Sequence, residues 1–206
     1  MFTGLVQGMG SIVAVRPLAS GVHIEIDAAA LRPRKIALGD SIAVNGVCLT
    51  ATSVQDMRFG ADVSAETLSK TCGLDTVGAV NLETSLALGD TIGGHLVSGH
   101  VDGVGEVLRR MPVGESLEFA VLAPAALAKF LAVKGSVAVD GVSLTINKVL
   151  DCAVAAPSCE ISINLIPHTL AVTTLGARGP GAHVNLEVDM IARYVARVVS
   201  CRCSQS

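Results

Sequence analysis

Along most of the chain, apolar and polar residues alternate with a period of two. The stretch "SIAVNGVCLTATSV" (41–54) is representative: it is rich in β-branched residues, and its alternation sends one set of side chains to each face of a strand. Such runs are short and are broken by Gly, Asp or Asn roughly every 8–12 residues, the spacing of small antiparallel β-barrels or sandwiches. The period changes to that of a helix in two places. "PAALAKFLA" (124–132) opens on Pro and continues with good helix formers. "DMIARYVARVVS" (189–200) opens on Asp and sets Ile191, Val195, Val198 and Val199 at helical spacing. Read from its residues alone, an amphipathic terminal helix of this kind docks on its own domain more commonly than on a partner.

The strand pattern is written twice. "FTGLVQGMG" (2–10) returns as "VSGHVDGVG" (97–105), with Gly4, Val6, Gly8 and Gly10 matching Gly99, Val101, Gly103 and Gly105. The same offset of 95 aligns "SIAVNGVCLT" (41–50) with "SVAVDGVSLT" (136–145), where seven of ten positions are identical. "VSAETL" (63–68) then matches "LIPHTL" (165–170), and "VNLE" occurs at 80–83 and again at 184–187. The offset drifts to 104, which places small insertions between the blocks, around "DCAVAAPSC" (151–159). A period near 100 is too long for a solenoid and means a duplicated domain. The boundary falls near 88–97, giving a first repeat over 1–95, a second over 96–188, and a helix with its tail over 189–206. The helix has no counterpart after the first repeat.

Composition narrows the function classes. Of 206 residues half are apolar and 16% charged, as in globular soluble proteins. A net charge of −3, with no run of Lys or Arg, argues against nucleic-acid binding. No apolar stretch approaches the ~18 residues of a membrane span, and "MFTGLVQGMG" lacks the basic region and apolar core of a secretion signal. The cysteines at 48, 72, 152, 159, 201 and 203 form no CxxC pair, and the terminal "CRC" is too tight for a zinc knuckle. Reduced thiols and a cytoplasmic location are the expectation. With four Phe, one Tyr and no Trp, the chain offers a flat ligand few aromatic faces.

GxGxxG after a strand, GxxxxGK[ST] and HExxH are all missing. His95 and His100 fit no helix face and have no Cys or Asp nearby to complete a metal set, so no metal is expected. The differences between the repeats are more informative. The second carries His100 for Leu5, Asp140 for Asn45, Ser143 for Cys48 and Lys134 for Gly39; the first carries Glu66 where the second has His168. His100 suits acid–base work near neutral pH, and equally the capping of a turn. Cys48 and Ser143 suit nucleophile or donor roles, and Cys48 equally that of a small buried hydrophobe. The repeated Thr50/Thr145 and Thr67/Thr169 suit polyol or amide contacts, though Thr is also an ordinary strand residue.

Taken together, the blocks "MFTGLV", "GDSIAVNGVCLT", "ETL", "VNLE", "IGGHLVSGHVDG", "VKGSVAVDGVSLT" and "LIPHTLAVTTLG" resemble the α-type riboflavin synthase family, built from two lumazine-binding repeats. The resemblance covers nearly the whole chain. It implies an all-β fold of two tandem six-stranded antiparallel Greek-key barrels with a C-terminal helix, and a homotrimer held by those helices. It implies dismutation of two 6,7-dimethyl-8-ribityllumazine molecules to riboflavin and 5-amino-6-ribitylamino-uracil, with no metal or redox cofactor. Association with lumazine synthase is possible in the family. The resemblance also implies a site between the first barrel of one subunit and the second barrel of its neighbour.

Matched motif by motif, the first half would use Gly4, Leu5, Val6, Cys48, Leu49, Thr50, Asp62, Val63, Ser64, Ala65, Glu66 and Thr67. The second would use Gly99, His100, Val101, Lys134, Ser143, Leu144, Thr145, Leu165, Ile166, Pro167, His168, Thr169 and Leu170. Backbone groups at 4–6 and 99–101 would each meet the other half's ligand. Proton transfer would fall to His100, Ser143, Thr145 and Asp140, with Ser41 and Cys48 around the donor's C7. Two positions depart from the family pattern: Thr84 follows the first "VNLE", where Arg is frequent, and His168 stands where Glu is frequent. The rival reading is a non-catalytic lumazine or flavin binder, like the lumazine proteins of luminous bacteria, in which the segment matching "SGHVDG" lacks the His.

Overall fold

A computed structural model describes residues 1–32, 34–152 and 158–203. The first half contains β1 (Gly8–Leu18), β2 (Gly21–Asp27), β3 (Ser41–Val44), β4 (Val47–Thr50), β5 (Ser53–Gln55), β6 (Arg58–Ser64), α1 (Ala65–Lys70) and β7 (Gly78–Thr84). The second contains β8 (Gly103–Val113), β9 (Ser116–Pro124), α2 (Ala125–Ala128), β10 (Ser136–Val139), β11 (Val142–Cys152), β12 (Ser158–Leu165), α3 (Pro167–Val172) and β13 (His183–Val188), and α4 (Met190–Cys203) ends the chain. All strand pairs are antiparallel.

The second half is a closed barrel in the order β10-β11-β12-β9-β8-β13, with the Greek-key crossover between β9 and β10. The first half repeats that order as a seven-stranded sheet, β4-β3-β7-β1-β2-β6-β5. The difference from six strands is local. The strand that runs unbroken as β11 is divided into β4 and β5, because Ala51 N–H donates to Asp40 O at 2.9 Å and Thr52 N–H to Gly60 O at 2.8 Å. The two edges of this sheet are thus consecutive pieces of one chain. The drift in the repeat offset arises at the next hairpin: Gln55 pairs with Arg58 across a tight turn, whereas β11 and β12 extend to a Cys152–Ser158 pair. Residues 153–157, where the insertion was expected, lie outside the described residues.

Each half has its own apolar centre. Phe59, Ile24, Ile26, Ile42 and Leu82 fill the first and Phe119, Ile146, Ile161, Ile163 and Leu186 the second, all at most 1% exposed. Between them Phe2, Ala43, Val97 and Ala138 form a third cluster, with Cys48 against it. Asn81 and Asn185 staple the halves in a matched way. Asn81 Nδ2 donates to Asp140 O at 2.9 Å, and Asn185 Nδ2 to Asn45 O at 3.0 Å. Asn81 Oδ1 takes the Thr174 amide and Asn185 Oδ1 the Cys72 amide, both at 2.8 Å. These buried carboxamides are satisfied only by the opposite half, so the interface has one register.

The helices depart from expectation in three ways. The run 124–132 is helical only over Ala125–Ala128; the chain then closes with three-residue turn bonds, Phe130 N–H to Leu127 O and Leu131 N–H to Ala128 O, which bury Leu131. α1 and α3 were not expected at all. Each follows its strand directly: Ser64 caps α1 by accepting the Thr67 amide at 3.1 Å, and Pro167 opens α3. The terminal helix does form, but Ile191, Val195, Val198 and Val199 are 55–67% exposed, so the stripe is not buried on its own barrel.

Candidate functional site

Ahead of each barrel's first strand runs a short arm, and each arm lies on the other barrel. Gly4 O accepts the Ser143 amide on β11 at 2.8 Å, and Gly99 O accepts the Cys48 amide on β4 at 2.8 Å. Val6 packs against the second core and Val101 against the first. Both glycines have positive φ, +73° and +81°. A Cβ would come within 2.6 Å of Ser143 Cβ at Gly4 and 2.5 Å of Cys48 Cβ at Gly99, so only glycine fits either contact.

A buried glutamate holds each arm. Glu83 Oε1 takes Thr3 N–H and Oγ1, each at 2.7 Å, and its Oε2 takes Gly4 N–H at 3.0 Å. Glu187 does the same for Ser98 N–H, Ser98 Oγ and Gly99 N–H at 2.6, 2.7 and 2.9 Å. Burial pushes both carboxyls above the usual glutamate range, while these hydrogen bonds pull them back toward the ionised form.

Within one chain each arm thus lies beside the other half's candidate residues, as expected for the backbone groups at 4–6 and 99–101. Gly4, Leu5 and Val6 belong beside Ser143, Leu144 and Thr145; Gly99, His100 and Val101 belong beside Cys48, Leu49 and Thr50. In the first group of neighbours around β4, Ser41 pairs across the sheet with Thr50, and β6 leads through Asp62 and Ser64 into α1 with Ala65, Glu66 and Thr67. Cys48 is half-buried with a free thiol. His100, Thr50, Asp62 and Glu66 are exposed. The His100 amide donates to Ser98 Oγ at 3.2 Å, and its ring makes no hydrogen bond among the described residues. Asp62 instead holds His23 Nδ1 at 2.6 Å. Leu49 and Val63, at 5% and 2% exposure, are core side chains and offer a ligand only their backbone.

Around β11 the same places are filled differently. Thr145 is exposed, Leu144 is half-buried, and Ile166, Pro167 and His168 are exposed at the start of α3, with Thr169 and Leu170 half-buried. Leu165 is wholly buried and belongs to the core. Lys134 has φ +68° where the first repeat has Gly39 at +87°. A side chain is kept at a backbone conformation that costs it about 1 kcal/mol or more, a pattern associated with functional sites. Its amide donates to Ile146 O at 2.7 Å, which holds that conformation.

Two residues change their reading. Asp140, expected at the proton-transfer centre, has no exposed surface. Its Oδ1 takes the Asn185 amide at 2.8 Å, and its Oδ2 takes Arg178 Nη2 at 3.1 Å and Nε at 3.2 Å. Burial pushes this carboxyl up to about 6 against the pull of Arg178. Within the chain it orders the interface turn, with both carboxylate oxygens engaged by Asn185 and Arg178. Conversely, His95, which the sequence offers only as half of an incomplete metal pair, meets one of the candidate residues. Its Nδ1 lies 2.7 Å from Ser143 Oγ, and its Nε2 is buried without a partner among the described residues. Burial lowers its pKa, so the neutral ring is the form that meets Ser143. His95 has no partner position in the first repeat, so comparison of the repeats passed over it.

A separate cleft of about 410 Å³ opens between the halves, lined by Asn45, Thr76, Thr174 and Arg178 among others; of the candidate residues it holds only Leu170.

The lumazine binding domain family matches residues 3–85 and 98–189. The riboflavin synthase of Brucella abortus (strain 2308) is 43% identical over 205 residues, covering 96% of this chain and 98% of its own. That of Photobacterium phosphoreum is 39% identical over 201 residues, covering 97% and 89%. That of Mycobacterium tuberculosis (strain ATCC 25618 / H37Rv) is 41% identical over 203 residues, covering 97% and 98%. Among solved structures, LumP complexed with riboflavin superposes with a TM-score of 0.80 at 24% identity, over 91% of this chain and 99% of that one. LumP complexed with 6,7-dimethyl-8-(1'-D-ribityl) lumazine gives 0.77 at 24% over the same shares.

Proposed function

The chain belongs to the lumazine-binding domain family, and we propose that it is a riboflavin synthase, transferring a four-carbon unit between two molecules of 6,7-dimethyl-8-ribityllumazine to give riboflavin and 5-amino-6-ribitylamino-uracil. The observation that carries this reading is identity with enzymes of that name across both repeats and nearly the full length of each chain. The LumP structures share the fold, and at 24% identity they say no more than that.

The chemistry asks for two copies of one molecule in two different roles, and the duplicated chain has two similar surfaces with different side chains. The acceptor's C7 methyl must lose a proton, which is feasible because the carbanion spreads over the pteridine. The donor must be attacked at its C7 by water or a hydroxyl. Holding the two molecules in register is the largest lever, worth roughly 7–11 kcal/mol of the barrier. The ligands can stack on one another, so a chain with one Tyr and no Trp is no obstacle. Arm backbone groups next to these anchored glycines, at Val6 and Val101 and the carbonyls of Leu5 and His100, would meet the planar rings, while Thr50, Glu66, Thr67, Thr145 and Thr169 would bind ribityl hydroxyls. His100 is exposed beside the β4 surface and is the proposed proton carrier, with Cys48 and Ser41 on the same surface and Ser143, polarised by His95, on the other.

In this proposal the chain works as a homotrimer in the cytoplasm, needs no metal or redox cofactor, and composes each site from two subunits. The exposed stripe of α4 supports assembly through the terminal helices. The deciding experiment is incubation with 6,7-dimethyl-8-ribityllumazine while following flavin absorbance, before and after treatment with a chelator. Flavin formation in both samples is expected. Tight lumazine binding with no flavin formed would establish the non-catalytic binder instead.

A further inference from the structure

The segment that carries His100 is tied to the C-terminal helix by a contact the first repeat lacks. Gln7 and Asp102 occupy corresponding places after the two arms. Gln7 Oε1 takes Thr84 N–H at 3.1 Å and Thr84 Oγ1 at 3.0 Å. Asp102 Oδ2 takes the matching amide, Val188 N–H, at 2.9 Å. Asp102 then does something more. Its Oδ1 lies 2.7 Å from Arg193 Nη1, and its Oδ2 lies 2.8 Å from Arg193 Nη2. The carboxylate and guanidinium meet as two parallel forks, the geometry in which arginine is most directional. Asp102 is 13% exposed at its side chain and Arg193 41%. Arg193 sits in the first turn of α4, where its amide donates to Asp189 O at 3.1 Å.

The pair closes one end of a short span. At the other end Glu187 grips Ser98 and Gly99 through three hydrogen bonds of 2.6–2.9 Å. The Asp102 amide donates to Leu186 O at 2.8 Å. Only His100 and Val101 lie between the two anchored points, and Val101 is seated on the first core. The path of two residues between fixed ends sets where the His100 side chain leaves the backbone. Arg193 is the anchor in this set supplied by α4, and it stands where the first repeat has only the neutral Thr84 hydroxyl contact to Gln7.

We propose that Arg193 is a positioning residue for the reaction: through its forked pair with Asp102 it locks the His100 segment to the C-terminal helix, so that the placement of His100 depends on the docking of that helix. This rests on the riboflavin synthase reading. It gives α4 a role in turnover that is separate from any role in assembly, because the guanidinium reaches back into its own chain while the apolar stripe faces away.

The test compares full-length wild type with Arg193→Ala and Arg193→Lys, measuring mass in solution, kcat and KM for 6,7-dimethyl-8-ribityllumazine. A displacement of about 1 Å in a reacting group costs on the order of 100-fold in rate. Arg193→Ala is expected to keep the wild-type mass, lower kcat by roughly 10- to 100-fold and leave KM within about threefold. Arg193→Lys, a point charge without the fork, should recover only part of the loss. Wild-type kcat in Arg193→Ala overturns the proposal, as does a loss that disappears when the protein is concentrated enough to restore assembly. If Arg193→Ala does not fold, Asp102→Asn is measured in its place. It keeps an acceptor for Val188 N–H and removes the charge; an undiminished kcat there overturns the proposal equally. A wild-type protein that forms no flavin would overturn the enzyme reading itself, and this inference with it, whereas an active wild type with an indifferent Arg193 defeats this inference alone.

Discussion

Asp140 and Asn45 hold the same place in the two repeats, and Asp140→Asn makes the second turn like the first. Each has φ +46° and is followed by a glycine at +80°. Each side chain accepts the amide of the strand opposite at 2.8 Å, Asn81 for Asn45 and Asn185 for Asp140. The substitution therefore keeps the acceptor and removes a buried charge. Burial pushes the Asp140 carboxyl from 3.8 up to about 6. The folded chain thus binds a proton more readily than the unfolded one, and stability falls as pH rises from about 4 to about 6. The rise from 3.8 to about 6 corresponds to a penalty of about 3 kcal/mol, fully present above pH 6 and absent below pH 4. Arg178 loses its partner in the variant, but its side chain is 28% exposed and water can take that place. Urea unfolding of both proteins, at one fixed concentration from pH 4 to 8, isolates the effect, since all other carboxyls are shared. The stability difference, variant minus wild type, should rise by about 3 kcal/mol across pH 4 to 6.5. A flat difference would refute the reasoning. A difference that falls with pH would mean that Arg178 holds Asp140 ionised more firmly than burial opposes it.

His100→Ala should lower kcat by about 10²–10⁴, the scale of a positioned acid or base, while the exposed ring leaves the melting temperature nearly unchanged; a wild-type rate would reduce His100 to a turn residue. Val195→Asp combined with Val199→Asp should leave each chain folded, since both positions are exposed in it, yet shift the mass in solution to that of a monomer. Each buried aliphatic side chain is worth about 1.5–3 kcal/mol to an assembly, so an unshifted mass would show that the stripe faces no neighbour. Asn185→Ala removes the carboxamide that serves Asn45 O, Cys72 O and the Cys72 amide, and should cost about 1–3 kcal/mol in denaturant unfolding; a loss under about 0.5 kcal/mol would mean water replaces it without penalty.

The strands were legible in the sequence because alternation reports which face is buried, and the buried set is what each barrel needs. Duplication sharpened this: "SIAVNGVCLT" and "SVAVDGVSLT" became β3–β4 and β10–β11 with the same cross-strand pairs. Periodicity does not report which backbone group bonds to which. The exchange of arms, with Gly4 on Ser143 and Gly99 on Cys48, is made of main-chain bonds and could not be read from side-chain pattern. α1 and α3 are six residues each, too short for a helical period to register, though Ser64 and Pro167 were usable start signals. Comparison of the repeats singles out His100, opposite Leu5, and Asp140, opposite Asn45, which the structure places at the interface between the halves; it is silent on His95, which has no counterpart to be compared with.

The exchanged arms have a consequence for how such a chain can arise. A single repeat carries both an arm and a surface for an arm of its own kind, since Gly4 on Ser143 and Gly99 on Cys48 make the same contact. Two copies of one half-length chain can therefore satisfy each other about a two-fold axis, each lending its arm to its twin. A hydrophobic knot such as Phe2 against Val97 would then be Phe2 against its symmetry mate. Gene fusion turns that symmetric pair into one polypeptide and releases it from symmetry: a histidine can appear on one arm without appearing on the other. The present chain bears the marks of such a history, a symmetric pair joined into one polypeptide in which the twins have been free to diverge.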